Sequence, residues 1–438
     1  MRIFIRVLKL CGVYLATVLL LFGLLIASAC IPDSAIFDNM KTSAEFYKTT
    51  EAFDKGAGRL QTVSDNYADA ILLGIAWNMG KGDALESALD TKYYDGEELG
   101  ENYGLYASVH NDASPNTDYT RYPHGSAVFV RFCHLFTNVQ GMKIIGLAVL
   151  ILLLLINFVF LSKRGHIGVG IVLVTSFILI QFWNISLSLE YMPTFIIALA
   201  VMPFYVLFED KREDMLLLVS CITGTAVAFF DFLTTETVAI LLPLMVVITV
   251  RSRENRLCKF KREGLFVLKN TLSFGFAYAA TFIFKWTAAS IVTGENKFVL
   301  ALSSAGERFS GEAAGIDNIF TRLPSAIFGN LTAVFGGSAD TRINYPLSVI
   351  GSVLFIGIIA SVIFLFKKNN LDKTAIWMLA AMSMLVFLRF TVLGNHSYLH
   401  CFFTHRALVC VVFAALAIVL VSIEIATKKK TRKGMAKR

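Results

Sequence analysis

Apolar runs long enough to cross a bilayer recur along this 438-residue chain, and they leave it few ways to fold. A membrane-spanning helix needs roughly 20 mostly apolar residues, because about 30 Å of hydrocarbon offers a backbone no hydrogen-bonding partner but itself. Ten runs fit: 10–30, 143–162, 167–184, 193–208, 215–231, 237–250, 265–290, 346–366, 374–393 and 407–425. The runs 193–208 and 237–250 are short for a full crossing, so eight and twelve spans are the alternative counts. Composition agrees, with 56% of residues hydrophobic and 16% charged, where a soluble domain carries about a quarter charged. That balance excludes an ordinary soluble enzyme, a disordered chain and a small disulfide scaffold. The expected fold class is all-α, a polytopic transmembrane helical bundle with extracytoplasmic juxtamembrane helices.

The charges sort the connections. With the N-terminus inside, the inner segments collect Arg2, Arg6 and Lys9, then Lys163 and Arg164, then Lys211 and Arg212. Arg251, Arg253, Arg256, Lys259, Lys261 and Arg262 follow, then Lys367, Lys368, Lys373 and a basic tail from Lys428. These make 23 of the 40 basic residues, while the outer loops 184–193 and 231–237 hold none. Basic side chains near span ends stay on the cytoplasmic side, which implies both termini inside and a multi-pass protein of the cell membrane. The net charge of +8 is accounted for by inner loops and tail; its expected partner is anionic lipid, not nucleic acid. Span one is too long for a signal core and no lipobox precedes Cys30, so it is expected to stay. Seven scattered cysteines without a CxxC pair argue against a disulfide framework or zinc ribbon. The expected division is a first span (1–30), a large outer segment (31–142), a bundle (143–293), a second outer segment (294–345), C-terminal spans (346–425) and the tail (426–438).

Segment 31–142 holds 16 Asp and Glu against 8 Lys and Arg. Tyr67, Ile71 and Ile75 share one helical face, and Phe129, Phe132, Cys133 and Phe136 another, which predicts helices lying at the membrane surface. Between them, 79–123 is rich in Gly, Asp, Asn and Tyr and reads as loops. In the second outer segment, Ile319, Phe320, Leu323, Ile327, Phe328 and Leu331 repeat at helical spacing around Pro324, predicting a surface or re-entrant helix. Phe335-Gly-Gly-Ser338 reads as a loop free to move over a site.

Ionisable groups inside or at the rim of a span cost about 3 kcal/mol or more near the centre, so they usually face a polar cavity. Lys285 and Arg389 lie toward the outer ends of their spans, Asp231 and Glu236 flank a tight outer turn, and the last span is entered through Asn395–Arg406. Blander roles exist for each: Lys285 and Arg389 can snorkel, and Asp231 and Glu236 can cap helix ends. His396 and His400 have i, i+4 spacing, but without a thiolate or HExxH context they make a weak zinc candidate. Taken together, Lys285, Arg389, Arg406, His400 and His405 offer positive charge near the carboxylates Asp65, Asp69, Asp231 and Glu236, with Arg121 and His124 in the same outer region. Cations at headgroup depth suit a lipid-linked phosphate, and a carboxylate held over it suits general-base activation of an acceptor hydroxyl. The chemistry expected is displacement at an anomeric carbon, with the charge growing on the departing phosphate held by the cations.

Asn66-Tyr-Ala-Asp69, Tyr122-Pro-His-Gly125, Asp231-Phe-Leu-Thr-Thr235, Lys285-Trp286, Asn395-His-Ser-Tyr-Leu-His400 and Phe403-Thr-His-Arg406 resemble motifs of envelope-associated membrane proteins of Gram-positive bacteria. A first span, a long acidic outer loop and many further spans resemble, more broadly, the C-type superfamily of integral-membrane glycosyltransferases. The resemblance implies transfer of a sugar from a polyprenyl-phosphate carrier to an extracytoplasmic glycan or lipid acceptor. It implies an acidic base in the first outer loop, by position Asp69 or else Asp65, in some members with a divalent metal such as Mg or Mn. Many members carry an acidic pair soon after span one, where this chain has the separated Asp33 and Asp38. The other expectations are a lipid-linked glycan polymerase or ligase with a diphosphate donor, and a transporter or flippase, which would place charge near mid-bilayer in several helices.

Overall fold

The computed structural model describes residues 2–209, 213–299, 301–303, 318–366 and 372–435. Lys211, Arg212, Lys367, Lys368, the middle of the second outer segment and the side chains of the tail lie outside the described residues. The chain is an all-α helical bundle, as a backbone that must satisfy itself in hydrocarbon requires. Among the described residues eight helices are long and apolar enough to cross a membrane: Phe4–Ala29, Val139–Lys163, Leu189–Phe208, Glu213–Phe230, Phe260–Thr293, Tyr345–Phe364, Lys373–Val392 and Cys401–Ile423.

Two of the ten expected spans are shorter helices, for different reasons. Ile167–Leu179 has 13 residues, about 20 Å at 1.5 Å per residue. It stops where Gln181 adopts a left-handed backbone (φ 54°) and a 3-10 stretch, Phe182–Leu187, carries the chain on. Val238–Arg253 has 16 residues, and everything from Val238 to Ser252 is buried. Pro193–Phe208, Val409–Met435 and Lys373–Val392 surround it. A helix apolar on all sides is a buried one, and one walled off from lipid by its neighbours need not match the bilayer's thickness.

At one end of the bundle the basic connections meet. Arg251 donates to Glu209 (2.7 Å) and to Glu263 (2.8 Å), His166 faces Glu254 at 3.0 Å, Ser252 donates to Asp372 (2.8 Å), and Arg6 pairs with Asp214 (2.7 Å). The segments that the charge asymmetry assigns to a common side thus touch one another.

At the opposite end, segment 31–142 folds into a helical layer of Asp33–Lys48, Asn66–Asn78, Ala84–Leu89, Gly100–His110 and Ser126–Cys133. Two-stranded pieces pair Phe53–Asp54 with Ser64–Asp65 and Lys92–Tyr93 with Thr117–Asp118. The reading of 79–123 as loops is corrected by two of these helices. Ala84–Leu89 is capped by Asp83, which accepts from the N–H groups of Leu85 and Glu86. Gly100–His110 packs on Asp33–Lys48 and Asn66–Asn78. Its glycines hide the periodicity and serve packing: a Cβ on Gly104 would lie 2.3 Å from the Tyr94 carbonyl oxygen.

Asn66–Asn78 is also not a surface helix, since ten of its 13 residues are buried. Ser126–Cys133 does expose an aromatic stripe, with Phe129, Phe132 and Phe136 each more than half exposed. From its opposite face the buried Arg131 donates to the carbonyls of Ser28 (2.8 Å), Ala76 (2.5 Å) and Ile31 and to Asp33 (3.0 Å), tying the end of the first span to this layer. Ile319–Val334 packs on Lys373–Val392 and Gly394–Leu399. The Gly-rich piece after it is fastened: Leu60 N–H donates to the Gly337 carbonyl and Ala339 N–H to that of Gly58, both at 2.9 Å.

Candidate functional site

The helical layer of segment 31–142 meets the bundle over a group of buried carboxylates. Asp65 is the N-cap of Asn66–Asn78, accepting from Ala68 N–H at 2.9 Å, and its own N–H donates to Ser188 Oγ at 2.6 Å. Asp69 follows one helical turn on, so both point the same way. Asp69 is fully buried. Its Oδ1 accepts from Leu189 N–H (2.8 Å), and its Oδ2 from Tyr47 Oη and Lys143 Nζ (2.9 Å each). Glu190, in the 3-10 turn Leu189–Tyr191 that leads into Pro193–Phe208, hydrogen-bonds Asp65 carboxyl to carboxyl, and its Oε1 has no donor among the described residues. Two carboxyls at that range cannot both be ionised, so the pair keeps a proton. Burial, opposed by the Ala68 N–H and reinforced by the charge of Asp69, pushes Asp65 up to about 7. Burial and the same charge raise the Tyr47 phenol well above its ordinary range, keeping it a donor.

Arg406 closes the group. It lies in the 3-10 turn His405–Leu408, its guanidinium 4.5 Å from the Tyr191 ring centroid. It donates to the carbonyls of Phe402, Gln61 and Asn184, each at 3.2 Å, while its buried Nε–H has no partner among the described residues. Glu190 and Tyr191 are its electrostatic neighbours. Three expected residues, Asp65, Asp69 and Arg406, therefore meet, through Glu190, Tyr191, Lys143 and Tyr47, which sequence reading passed over. Two weak signals pointed to them: Glu190 is the lone acid in the base-free loop 184–193, and Lys143 is a lone cation at the start of an apolar run.

The remaining expected residues go elsewhere, each for a physical reason. Arg389 is committed to the protein. It holds Glu236 through Nε (3.0 Å) and Nη2 (3.2 Å), the carbonyls of Leu233 (2.7 Å) and Thr234 (3.0 Å), and Ser397 Oγ (3.1 Å). Asp231 accepts from Thr194 Oγ1 (2.8 Å), Thr234 N–H (2.9 Å) and the Thr234 hydroxyl; it is an electrostatic neighbour of Glu190, so this second group borders the first. Lys285 Nζ donates to the Ala88 carbonyl at 3.1 Å, supplying a cation to the C-terminal end of Ala84–Leu89, where the helix dipole favours one. Its electrostatic neighbours are Asp90, Asp118 and Lys297.

His124 is buried in a left-handed backbone (φ 58°) with Nε2 2.8 Å from the Tyr119 carbonyl oxygen. Burial and the charges of Lys285 and Arg121 hold it down to about 3, so it is neutral. The Arg121 guanidinium sits 4.0 Å from the Tyr119 ring centroid. His400 stacks on Phe403 with centroids 5.2 Å apart and lies 4.8 Å from His396. His405 is buried, with Nδ1 2.9 Å from the Cys401 carbonyl oxygen. The five cations expected as one phosphate grip are thus not one set: Arg406 stands with the group of Asp65 and Glu190, and Arg389 with Glu236.

The group does not fit a divalent metal. Both Asp69 oxygens are taken by Lys143, Tyr47 and Leu189, the Asp65–Glu190 pair keeps a proton, and among the described residues no three His, Cys, Asp or Glu side chains are arranged to hold an ion.

Below the carboxylates, toward the bundle's middle, an apolar groove of about 290 Å³ runs between Val139–Lys163 and Pro193–Phe208. Leu72 and Leu189 form part of its wall, one turn from Asp69 and next to Glu190, and the exposed Phe129 and Ile145 flank it. Gly146 makes room here: a Cβ at that position would sit 2.1 Å from Met192 Sδ. Compared with protein-family models, curated proteins and solved structures, the chain has no match.

Proposed function

We propose that the chain is a membrane glycosyltransferase that takes a sugar from a polyprenyl-phosphate carrier and passes it to an extracytoplasmic acceptor. What supports this reading is an apolar groove whose wall residues Leu72 and Leu189 neighbour Asp69 and Glu190 in the chain, together with the buried carboxyl pair and an arginine whose Nε–H has no partner among the described residues. In the reaction, an acceptor hydroxyl oxygen bonds to the anomeric carbon while the carbon–oxygen bond to phosphate breaks. The phosphate leaves with the electron pair, and the acceptor's proton passes to the Asp65–Glu190 pair. A carboxyl near 7 is poised to take a proton at neutral pH. Arg406 Nε–H, buried and without a partner among the described residues, supplies a preorganised donor for the departing phosphate. Lys143, Tyr47 and Leu189 N–H hold Asp69, which fixes the helix that carries Asp65; Asp69 acts through position, not as the base expected from its place in the sequence.

The test uses purified protein in vesicles with a labelled polyprenyl-phosphate hexose and envelope acceptor material. Glu190→Gln should cut label transfer by about a hundredfold or more, in keeping with the worth of a general acid–base group, while the protein stays folded in the membrane. Unchanged transfer by that variant defeats the assignment. A requirement for a diphosphate-linked oligosaccharide donor would replace it with the polymerase or ligase reading.

A further inference from the structure

At the basic end of the bundle, far along the helices from the carboxylates, lies a larger groove. It has a volume of about 760 Å³ and runs between Tyr345–Phe366 on one side and Lys373–Val392 and Val409–Met435 on the other. Small side chains hollow it out, among them Ala360, Ala380, Ala381, Ala414 and Ala415. Of the eight helices named above Tyr345–Phe364 is the least enclosed, with 6% of its most apolar stretch buried, against 44% for Lys373–Val392 and 61% for Cys401–Ile423.

Basic residues adjoin two of the lining residues in the chain. Phe260 and Trp377 line the groove at the end where Phe260–Thr293 and Lys373–Val392 begin. Lys259 and Lys261 flank Phe260, and Lys373 lies one helical turn before Trp377; all three are exposed. Apolar contact does not select among lipids, because every tail in the bilayer offers it. Lysines at the membrane surface do select, since each attracts an anionic headgroup. Trp377, 65% exposed, has the amphipathic character that places indoles at headgroup level.

We propose that this groove holds an anionic phospholipid, with one acyl chain among the alanines and the phosphate at Lys259, Lys261 and Lys373. The lipid fills the space between Tyr345–Phe366 and the bundle and so seats that helix.

The experiment is native mass spectrometry of the full-length protein, stripped of lipid in detergent and titrated with phosphatidylglycerol, phosphatidylcholine or an isoprenyl phosphate. Phosphatidylglycerol should be retained at least tenfold better than phosphatidylcholine. A surface lysine contributes about 1 kcal/mol, about fivefold in binding, so Lys259→Gln, Lys261→Gln and Lys373→Gln together should weaken phosphatidylglycerol about a hundredfold. Ala380→Phe with Ala415→Phe should displace the lipid by filling its chain site. Equal retention of the two phospholipids, or an unaltered affinity in the triple lysine variant, overturns the proposal. Preferential capture of the isoprenyl phosphate overturns the phospholipid assignment and makes the groove a second carrier site.

Discussion

Replacing Asp65 by Asn should separate what this residue does for the fold from what it does for the proposed reaction. The amide keeps the shape of the side chain and is as good an N-cap as the carboxylate, so Ala68 N–H retains its acceptor, and its NH₂ donates to Glu190. What disappears is a buried ionisable group. Burial and the charge of Asp69 raise Asp65 from 3.8 to about 7, and at about 1.4 kcal/mol per pH unit that is about 4 kcal/mol of differential interaction. For a carboxyl raised in the folded state, the contribution to stability is complete below the unfolded value near pH 4 and is lost as pH climbs through about 7. Between pH 4 and 7.5 the native protein should therefore lose about 4 kcal/mol more than Asp65→Asn does, the other titrating groups, Glu190 among them, being common to both. At pH 8 the variant is then the more stable of the two while transferring no sugar, the trade between stability and activity expected of a buried active-site charge. Unfolding in mixed micelles followed by tryptophan fluorescence at pH 4.5, 6 and 8 measures the difference. Parallel pH profiles for the two proteins, or a variant less stable than the native chain at pH 8, would refute the account of Asp65 as a strained acid.

Arg389→Met leaves Glu236 and the carbonyls of Leu233 and Thr234 without their donor and should destabilise by about 3–5 kcal/mol, as removal of one partner of a buried pair does. Adding Glu236→Gln should restore part of that loss in the same unfolding assay, since it removes the stranded charge. Gly146→Ala should drive the Met192 side chain into the small groove, because the new Cβ meets Met192 Sδ at 2.1 Å. In the transfer assay the donor KM should rise about tenfold, equivalent to about 1.4 kcal/mol, with kcat little changed, and Met192→Ala should reverse it.

Hydropathy and charge placement were enough to find the helices and to group their connections, because a bilayer imposes length and composition on each span locally. Every expected span corresponds to a helix, and the basic connections do meet at one end. Periodicity misled wherever burial came from the protein and not from lipid. Asn66–Asn78 reads as an amphipathic surface helix but is roofed on nearly all sides, and Gly100–His110 carries glycines that serve close packing and blur its pattern.

The fate of each charged residue was not a local property. Lys285, Arg389 and Arg406 look alike in sequence, each a cation beside aromatic or apolar residues near the end of an apolar run. The first ends on a helix carbonyl, the second on a glutamate, and the third against a tyrosine and a carboxyl pair. Glu190 gains its importance from Asp65, 125 positions earlier in the chain. A span is written in consecutive residues because the solvent around it is uniform; a site is assembled from distant ones, and only the packing of the helices sets which charges lose water together.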